Sequence, residues 1–398
     1  MKKILYITYD GLMDPVAQSQ VLPYLKGLSN RGFGISVISF EKKERMGAGK
    51  GREEVKAELE KNGITWGPLK YHRSPAIPAT VYDIIKGSCS ALSSIRKGDV
   101  GAVHARGYIP ALIGLFLKRV AGKRLIFDMR GFWPDEKVDA GAWEKGSPVY
   151  ALFKKIERML IKGSDEIVVL AGSAERSLKK DFPGAAITVI PCCVDTGFFG
   201  PKPRGDILPG DAMNRPVLIY LGSTGTFYDL DGMALFFKAL KEKIRGAYFW
   251  LVTNSAAGEV EGVILGHGID RHDFAVTGLS RKDIPLALSS SALSIMFYKR
   301  RLSSAGCSPI KFAESLSCGL PVVINSGIGD TEEVINRENV GVVADLSGPG
   351  GIEEAAVKAS GLLPVSEGLR KKCVSSAKEY FSLEQGIDKY SMIYRRLT

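Results

Sequence analysis

The sequence predicts an α/β protein built on parallel sheets and divided into two domains. Short apolar runs alternate with helical patterns along the whole chain, which is how parallel sheets covered by helices read. At 398 residues the chain exceeds one ordinary core, so two domains of roughly 200 residues are the default. Residues 191–216 hold five prolines and four glycines with little periodicity, which marks a linker.

In the first half, strands are expected at 4–8, 34–39, 101–104, 124–127, 166–170 and 188–190, with helices at 19–31, 81–96, 109–120 and 149–162. After the linker come a strand at 217–221, a helix at 231–244 and strands at 248–252 and 274–276. A helix at 281–290 and a strand at 293–297 follow. Residues 307–324 read as loop, helix and strand. Ser308 suits an N-cap and Pro309 the first helical position. Ile310, Ala313 and Leu316 or Ser317 fall at core-facing spacing. Gly319 suits a left-handed helix end, Pro321 blocks continuation, and Val322-Val323-Ile324 is a short buried strand. The stretch 383–397 is a final helix carrying Ile387, Tyr390, Met392, Ile393 and Tyr394. No internal repeat or low-complexity tract is visible.

Composition narrows the class. Hydrophobic residues make up 45% and charged residues 24%, as in soluble globular proteins. No apolar run reaches the roughly 18 residues a bilayer span needs. Met1-Lys2-Lys3 followed by Ile4-Leu5-Tyr6-Ile7 imitates a signal peptide but turns polar at Thr8, Asp10 and Asp14, so no export is expected. Six scattered cysteines lack metal-ligand spacing and fit a reducing cytoplasm. The net charge of +11 is uneven: residues 1–200 carry +10 and the remaining 198 carry +1. A basic half points to nucleic acid, a membrane surface or an anionic substrate. The basic residues do not interleave with aromatics and no nucleic-acid motif occurs, so no nucleic-acid partner is expected.

Several loops carry chemical potential. A helix N-terminus after Ser308 offers unpaired N–H groups to an anion. Lys311 adds a cation in the first turn, and Glu314 lies on the same face three residues on. Phosphates at the N–H groups and Lys311, with hydroxyls on Glu314, would suit a nucleotide sugar. The alternative is a surface helix with an i,i+3 salt bridge. Gly222, Ser223 and Thr224, in the run 221–226 ending at Thr226, follow a strand with small residues whose N–H groups can meet phosphate. Gly278, within Thr277-Gly278-Leu279-Ser280, ends another strand on the same edge. In the first half, Asp10 and Gly11 open the loop after the first strand. It is not a G-x-G-x-x-G fingerprint. Gly11 could admit a substrate to the backbone, and Gln18 and Ser19 could bond hydroxyls, or the loop only caps a helix. His104 ends its strand, either facing a ligand or serving structure. Arg130 could clamp a phosphate or pair with Asp128 to order its loop. The segment 153–162, apolar at Phe153, Ile156 and Leu160 and basic at Lys154, Lys155, Arg158 and Lys162, could touch an anionic membrane together with Lys118, Arg119, Lys123 and Arg124. The same pattern also describes a helix solvated on one side.

Taken together, Tyr9-Asp10-Gly11, residues 190–195 (Ile-Pro-Cys-Cys-Val-Asp) and the block Lys311–Val323 with Glu314 resemble the family 4 glycosyltransferases over nearly the full length. The resemblance implies the GT-B fold, with two Rossmann-like domains facing across a cleft. The N-terminal acceptor domain would span 1–195 with the helix 383–397 crossing back, and the C-terminal nucleotide-sugar domain 196–382. It implies sugar transfer with retention, generally without a bound metal; a UDP- or GDP-linked donor is expected, and the basic charge of the acceptor half suits a glycan or lipid-diphosphate acceptor. The setting would be cell-surface polysaccharide synthesis at the inner membrane face. By position, Glu314 corresponds to the second glutamate of the family's E-x7-E motif, which holds ribose, and His104 to a histidine near the donor sugar. Lys311 would neutralise phosphate, with Lys299, Arg300 or Arg301 as substitutes. Gly327 and Gly329 would represent the donor-loop glycines. His104, Lys311 and Glu314 are therefore the expected catalytic set. Gly222, Ser223, Thr224, Gly278 and Ser308 join Lys311 and Glu314 around the donor, and Asp10, Gly11, Gln18 and Arg130 face the acceptor.

Two departures stand out. The first glutamate is replaced by Gly306, and Phe227, Tyr228, Asp229 and Leu230 stand where the family has an Arg and Lys pair. A sugar-nucleotide epimerase of the same fold, or a degenerate protein that only binds donor or partner, are the rival readings.

Overall fold

The computed structural model describes residues 3–46, 49–225 and 227–398. Met1, Lys2 and Thr226, all used in reading the sequence, lie outside the described residues. The chain divides into two compact units, Met1–Pro191 with Leu383–Thr398, and Cys192–Ser382.

The first unit holds strands β1 (Lys3–Thr8), β2 (Ile35–Glu41), β3 (Thr65–Lys70), β4 (Val100–Arg106), β5 (Arg124–Asp128), β6 (Glu166–Val169) and β7 (Ile187–Val189). They form one parallel sheet in the order β3-β2-β1-β4-β5-β6-β7. The order reverses between β1 and β4, the switch point where α/β sheets bind ligands. Strands β1, β4 and β5 are buried almost throughout because both faces are covered. β3 escapes a pattern reading because Trp66-Gly67-Pro68 interrupts it. Proline is tolerated there because β3 is an edge strand.

The second unit holds β8 (Val217–Leu221), β9 (Tyr248–Val252), β10 (Phe274–Thr277), β11 (Leu293–Met296), β12 (Val322–Asn325) and β13 (Gly341–Ala344). The order is β10-β9-β8-β11-β12-β13, again parallel, with its switch point between β8 and β11.

Two local expectations need correction. Residues 192–216 are not a free linker. Phe199, Leu208 and Ala212 are buried in the core of the second unit, so this proline-rich stretch is packed wall. Ser308 is also not the N-cap of its helix. The helix is Ile310–Ser317, capped by Pro309, whose ψ of 112° keeps it extended. The Ser308 hydroxyl instead accepts the Cys192 N–H at 3.1 Å. The other end matches the sequence reading, with Gly319 at φ 76°.

Candidate donor site and its counterpart in the first unit

The helix Ile310–Ser317 is buried from Phe312 to Ser317, which removes the surface-helix alternative. No ion pair joins Lys311 to Glu314 among the described residues. Lys311 Nζ donates instead to the Tyr228 hydroxyl at 2.8 Å and lies 4.4 Å from that ring's centre, a hydrogen bond with a cation–π contact. Tyr228 packs against Tyr298 just beyond β11 and against Tyr220 in β8. The ammonium is therefore fixed over the end of β8, at the switch point.

Gly222 makes room for it. A Cβ there would fall on the Lys311 ammonium and 3.3 Å from Tyr220 Oη, and φ is 147°. Gly222→Ala is expected to cost about 1–3 kcal/mol of stability through backbone strain and to displace Lys311. A urea titration beside a nucleotide titration checks both effects. Stability and affinity equal to wild type would contradict this account.

Glu314 is 7% exposed, and its carboxylate has no hydrogen-bond partner among the described residues. Burial raises its pKa to about 7 against the smaller opposing pull of Arg281 and Lys311. A buried carboxylate without a protein partner is a group waiting for donors.

The loop after β8 serves phosphate less than expected. The Gly222 N–H bonds Val252 O at 3.0 Å and the Thr224 N–H bonds Ser255 Oγ at 3.1 Å. Ser223 is exposed, and its carbonyl accepts from Tyr220 Oη at 2.5 Å. Gly278 is exposed beside Asn254. Of the substitute cations, Lys299 and Arg300 are exposed, and Arg301 stacks on Phe227 at 4.5 Å. Gly306 is buried in the 3₁₀ turn Leu302–Gly306, and the Gly329 N–H bonds Ser304 O.

In the first unit, the edge between β1 and β4 gathers Asp10, Arg106, Asp128 and Arg130. Arg106 lies 3.7 Å from Asp10 and 3.6 Å from Asp128, and Arg130 lies 3.8 Å from Asp128. Burial works against the Asp128 charge, but Arg130, His104 and Arg106 outweigh it and hold the pKa at about 2. Arg130 takes a left-handed φ of 59°, so its loop is held in a costly conformation. The Asp128–Arg130 pairing is the loop-ordering reading. The Arg130 side chain remains 15% exposed.

His104 differs from expectation. It is 1% exposed and packed between Tyr6 and Tyr390 at 4.5 and 5.1 Å. Nδ1 sits 2.7 Å from Tyr394 Oη and Nε2 3.5 Å from Asp128. Burial lowers its pKa despite Asp128, so the ring is neutral. Both nitrogens are committed, which makes it a residue that positions Asp128.

Gly11 likewise answers to the fold. A Cβ would crowd the Glu41 carboxylate, which accepts the Leu12 N–H at 2.7 Å and the Ser39 hydroxyl at 2.6 Å. Gln18 Nε2 donates to Leu12 O at 2.8 Å and Ser19 Oγ donates to Pro15 O. This loop is therefore capped internally. Asp10 and Gln18 are the exposed members of that group.

Sequence reasoning missed Tyr228, Arg281 and Arg106. Tyr228 did leave a signal, since it stands where the family's basic pair was absent. Arg281 and Arg106 left none, because only the sheet order brings them to these sites.

Two family profiles match the chain: Glycosyltransferase Family 4 over residues 18–198 and Glycosyl transferases group 1 over residues 215–361. A comparison with curated protein sequences gives no match. Among solved structures, sucrose-phosphate synthase from Thermosynechococcus elongatus aligns with TM-score 0.73 at 13% identity, covering 100% of this chain and 99% of that one. A glycosyltransferase from Rickettsia africae aligns with TM-score 0.70 at 16% identity, covering 100% and 98%. HepE from Anabaena, solved with UDP and glucose, aligns with TM-score 0.66 at 14% identity, covering 99% and 100%. The first half carries a Glycosyltransferase Family 4 domain and the second a Glycosyl transferases group 1 domain, which together make the chain a glycosyltransferase, and the two parallel sheets with full-length structural neighbours give it the GT-B fold.

Proposed function

We propose that the protein transfers a sugar, with retention of anomeric configuration, from a UDP- or GDP-linked donor to a glycan or lipid-diphosphate acceptor in cell-surface polysaccharide synthesis. The observation that carries the donor assignment is Glu314, a buried carboxylate without a hydrogen-bond partner among the described residues, one helical turn from Lys311. Lys311 faces the diphosphate and stabilises the charge that develops as the glycosidic bond breaks. Glu314 accepts from ribose hydroxyls. The acceptor hydroxyl attacks from the face the diphosphate leaves, and a phosphate oxygen takes its proton. No protein nucleophile and no bound metal are part of this scheme. His104 enters it through Asp128 rather than by touching sugar. Arg130, whose side chain is partly exposed at the β1–β4 edge of the first unit, is the cation offered to an acceptor phosphate. The UDP complex of the Anabaena neighbour favours the UDP arm.

Thermal stabilisation by UDP-, GDP- and ADP-sugars tests the donor site. The best ligand's shift is expected to vanish in both Lys311→Ala and Glu314→Ala. If both variants keep the full shift, the donor site lies elsewhere. Turnover with acceptor extract separates a transferase from an epimerase, which converts donor alone, and from a binding protein, which converts nothing.

The membrane arm of the proposal rests on one helical layer of the first unit. Helices Ala76–Lys97, Tyr108–Ala121 and Pro148–Gly163 pack side by side. They expose Ile77, Val81, Tyr82 and Ile85, then Phe116 and Val120, then Leu152 and Met159. Contiguous exposed apolar residues mark interaction surfaces. Lys155, Arg158 and Lys162 are exposed among them. Lys154 is not available, being held by Asp135 and Glu157, and Lys118 and Arg124 are spent on Asp165. No helix among the described residues is long and apolar enough to cross a membrane. The protein is therefore expected to co-sediment with anionic vesicles more than with neutral ones. Ile77→Glu with Ile85→Glu should lower that binding about tenfold or more. Equal binding to neutral and anionic vesicles would remove the membrane arm.

A further inference from the structure

The second unit contains a cavity of about 1020 Å³, at the upper end of the size that small-molecule sites reach. It opens at the N-terminal edge of the sheet. Pro216 and Val217 at the start of β8, Ala292 just before β11 and Gly319 before β12 line it. Gly222 and Lys311 stand at the opposite edge, about 16 Å away for a five-residue strand. The helix Ile310–Ser317 runs between the two edges, with Lys311 at one end and Cys318 of the cavity wall just past the other.

The lining is chemically one-sided. Lys202, Arg204, Arg215, Arg370, Lys371 and Lys378 contribute to it against a single acid, Glu367. This does not follow from the composition of that half, since residues 201–398 together carry only +1. Some of these cations have structural work. Arg215 bonds Asp273 at 2.5 Å and the Gly246 and His272 carbonyls at 2.7 Å. Arg204 donates to Met213 O at 2.6 Å, and Lys371 lies 3.7 Å from Glu367. Lys202 and Arg370 differ. Among the described residues neither has a carboxylate at ion-pair distance, and Arg370 makes one long contact, 3.5 Å to Gly319 O. Two like charges lining one cavity, neither paired with a carboxylate among the described residues, favour an anion between them.

We propose that this cavity is a second anion site, taking a phosphorylated small molecule with at least two negative charges through Lys202 and Arg370. Arginine bonds phosphate through its planar fork and lysine as a point charge. The volume accommodates a body attached to the phosphate, such as a sugar. This site is separate from the donor pocket and does not rest on the donor assignment.

Thermal shift and calorimetry at constant ionic strength test it, with inorganic pyrophosphate and glucose 6-phosphate as probes. Both are expected to raise the Tm of the wild type by about 2–4 °C at saturation. Lys311→Ala should keep that shift. Lys202→Gln with Arg370→Gln should lose about tenfold or more in probe affinity, and its UDP response should be unchanged. Lys202→Arg with Arg370→Lys should restore probe binding. Pyrophosphate binding without glucose 6-phosphate binding restricts the ligand to a bare diphosphate and overturns the sugar-sized body. Loss of the shift in Lys311→Ala, competition by UDP, or an equal shift from sodium chloride would each overturn the proposal. So would the absence of any shift.

Discussion

Glu314→Gln should make the protein more stable above neutral pH while weakening its hold on donor. Burial raises the Glu314 carboxyl from 4.5 to about 7, so folding takes up a proton between those values. A raised folded pKa means the neutral form is the favoured one. The stability it allows is complete below pH 4.5 and declines as pH rises towards 7. Above pH 7 the ionised, buried group costs about 3 kcal/mol. Glutamine fits the same space without that cost. Denaturation curves should nearly coincide near pH 4.5 and separate by up to about 3 kcal/mol at pH 8, with the variant the more stable. Donor binding should move the other way, because ionised Glu314 accepts two hydroxyl hydrogen bonds that an amide cannot fully replace. At pH 7, binding of nucleotide sugar to the wild type should release part of a proton, visible by calorimetry in buffers of different ionisation enthalpy. Parallel pH–stability curves for the two proteins would rule this assignment out.

Lys311→Met should remove most of the turnover. Methionine keeps the chain length and the packing against Tyr228 but drops the charge. The charge on the leaving diphosphate grows as the bond breaks, so a cation there acts more on the transition state than on the bound donor. A loss of about 10²–10³ in kcat is expected, with a smaller change in KM and little change in stability. Lys311→Arg should recover only part, because the Tyr228 hydroxyl fits an ammonium rather than a planar fork. A tenfold rise in KM at unchanged kcat would make Lys311 a binding group only.

Both experiments concern a helix that the sequence alone left undecided. Lys311 and Glu314 are three residues apart, and that spacing fits an exposed salt bridge as well as a ligand site. Burial of the helix from Phe312 onward, against the core that also takes in Phe381, removed the first option. The strands β8 and β9 were readable to the residue because continuous apolar runs bounded by turns have few alternatives. β3 was not, because an edge strand tolerates Gly67 and Pro68. The run 191–216 looked like a linker by composition. Phe199, Leu208 and Ala212 turn it into core, and proline content does not report on burial.

What the sequence determined by itself is the fold class, because alternating apolar strands and amphipathic helices leave few arrangements, and the resemblance to glycosyltransferases, because Lys311, Glu314 and the Gly319-Leu320-Pro321 turn are close in sequence. Only the tertiary structure decided the chemistry of individual residues. His104 became a buried partner of Tyr394, 290 positions away, Gly11 became room for Glu41, and Tyr228 became the anchor of Lys311. Burial and charge pairing depend on residues distant in sequence, and the order of strands in the two sheets is what brings those residues together.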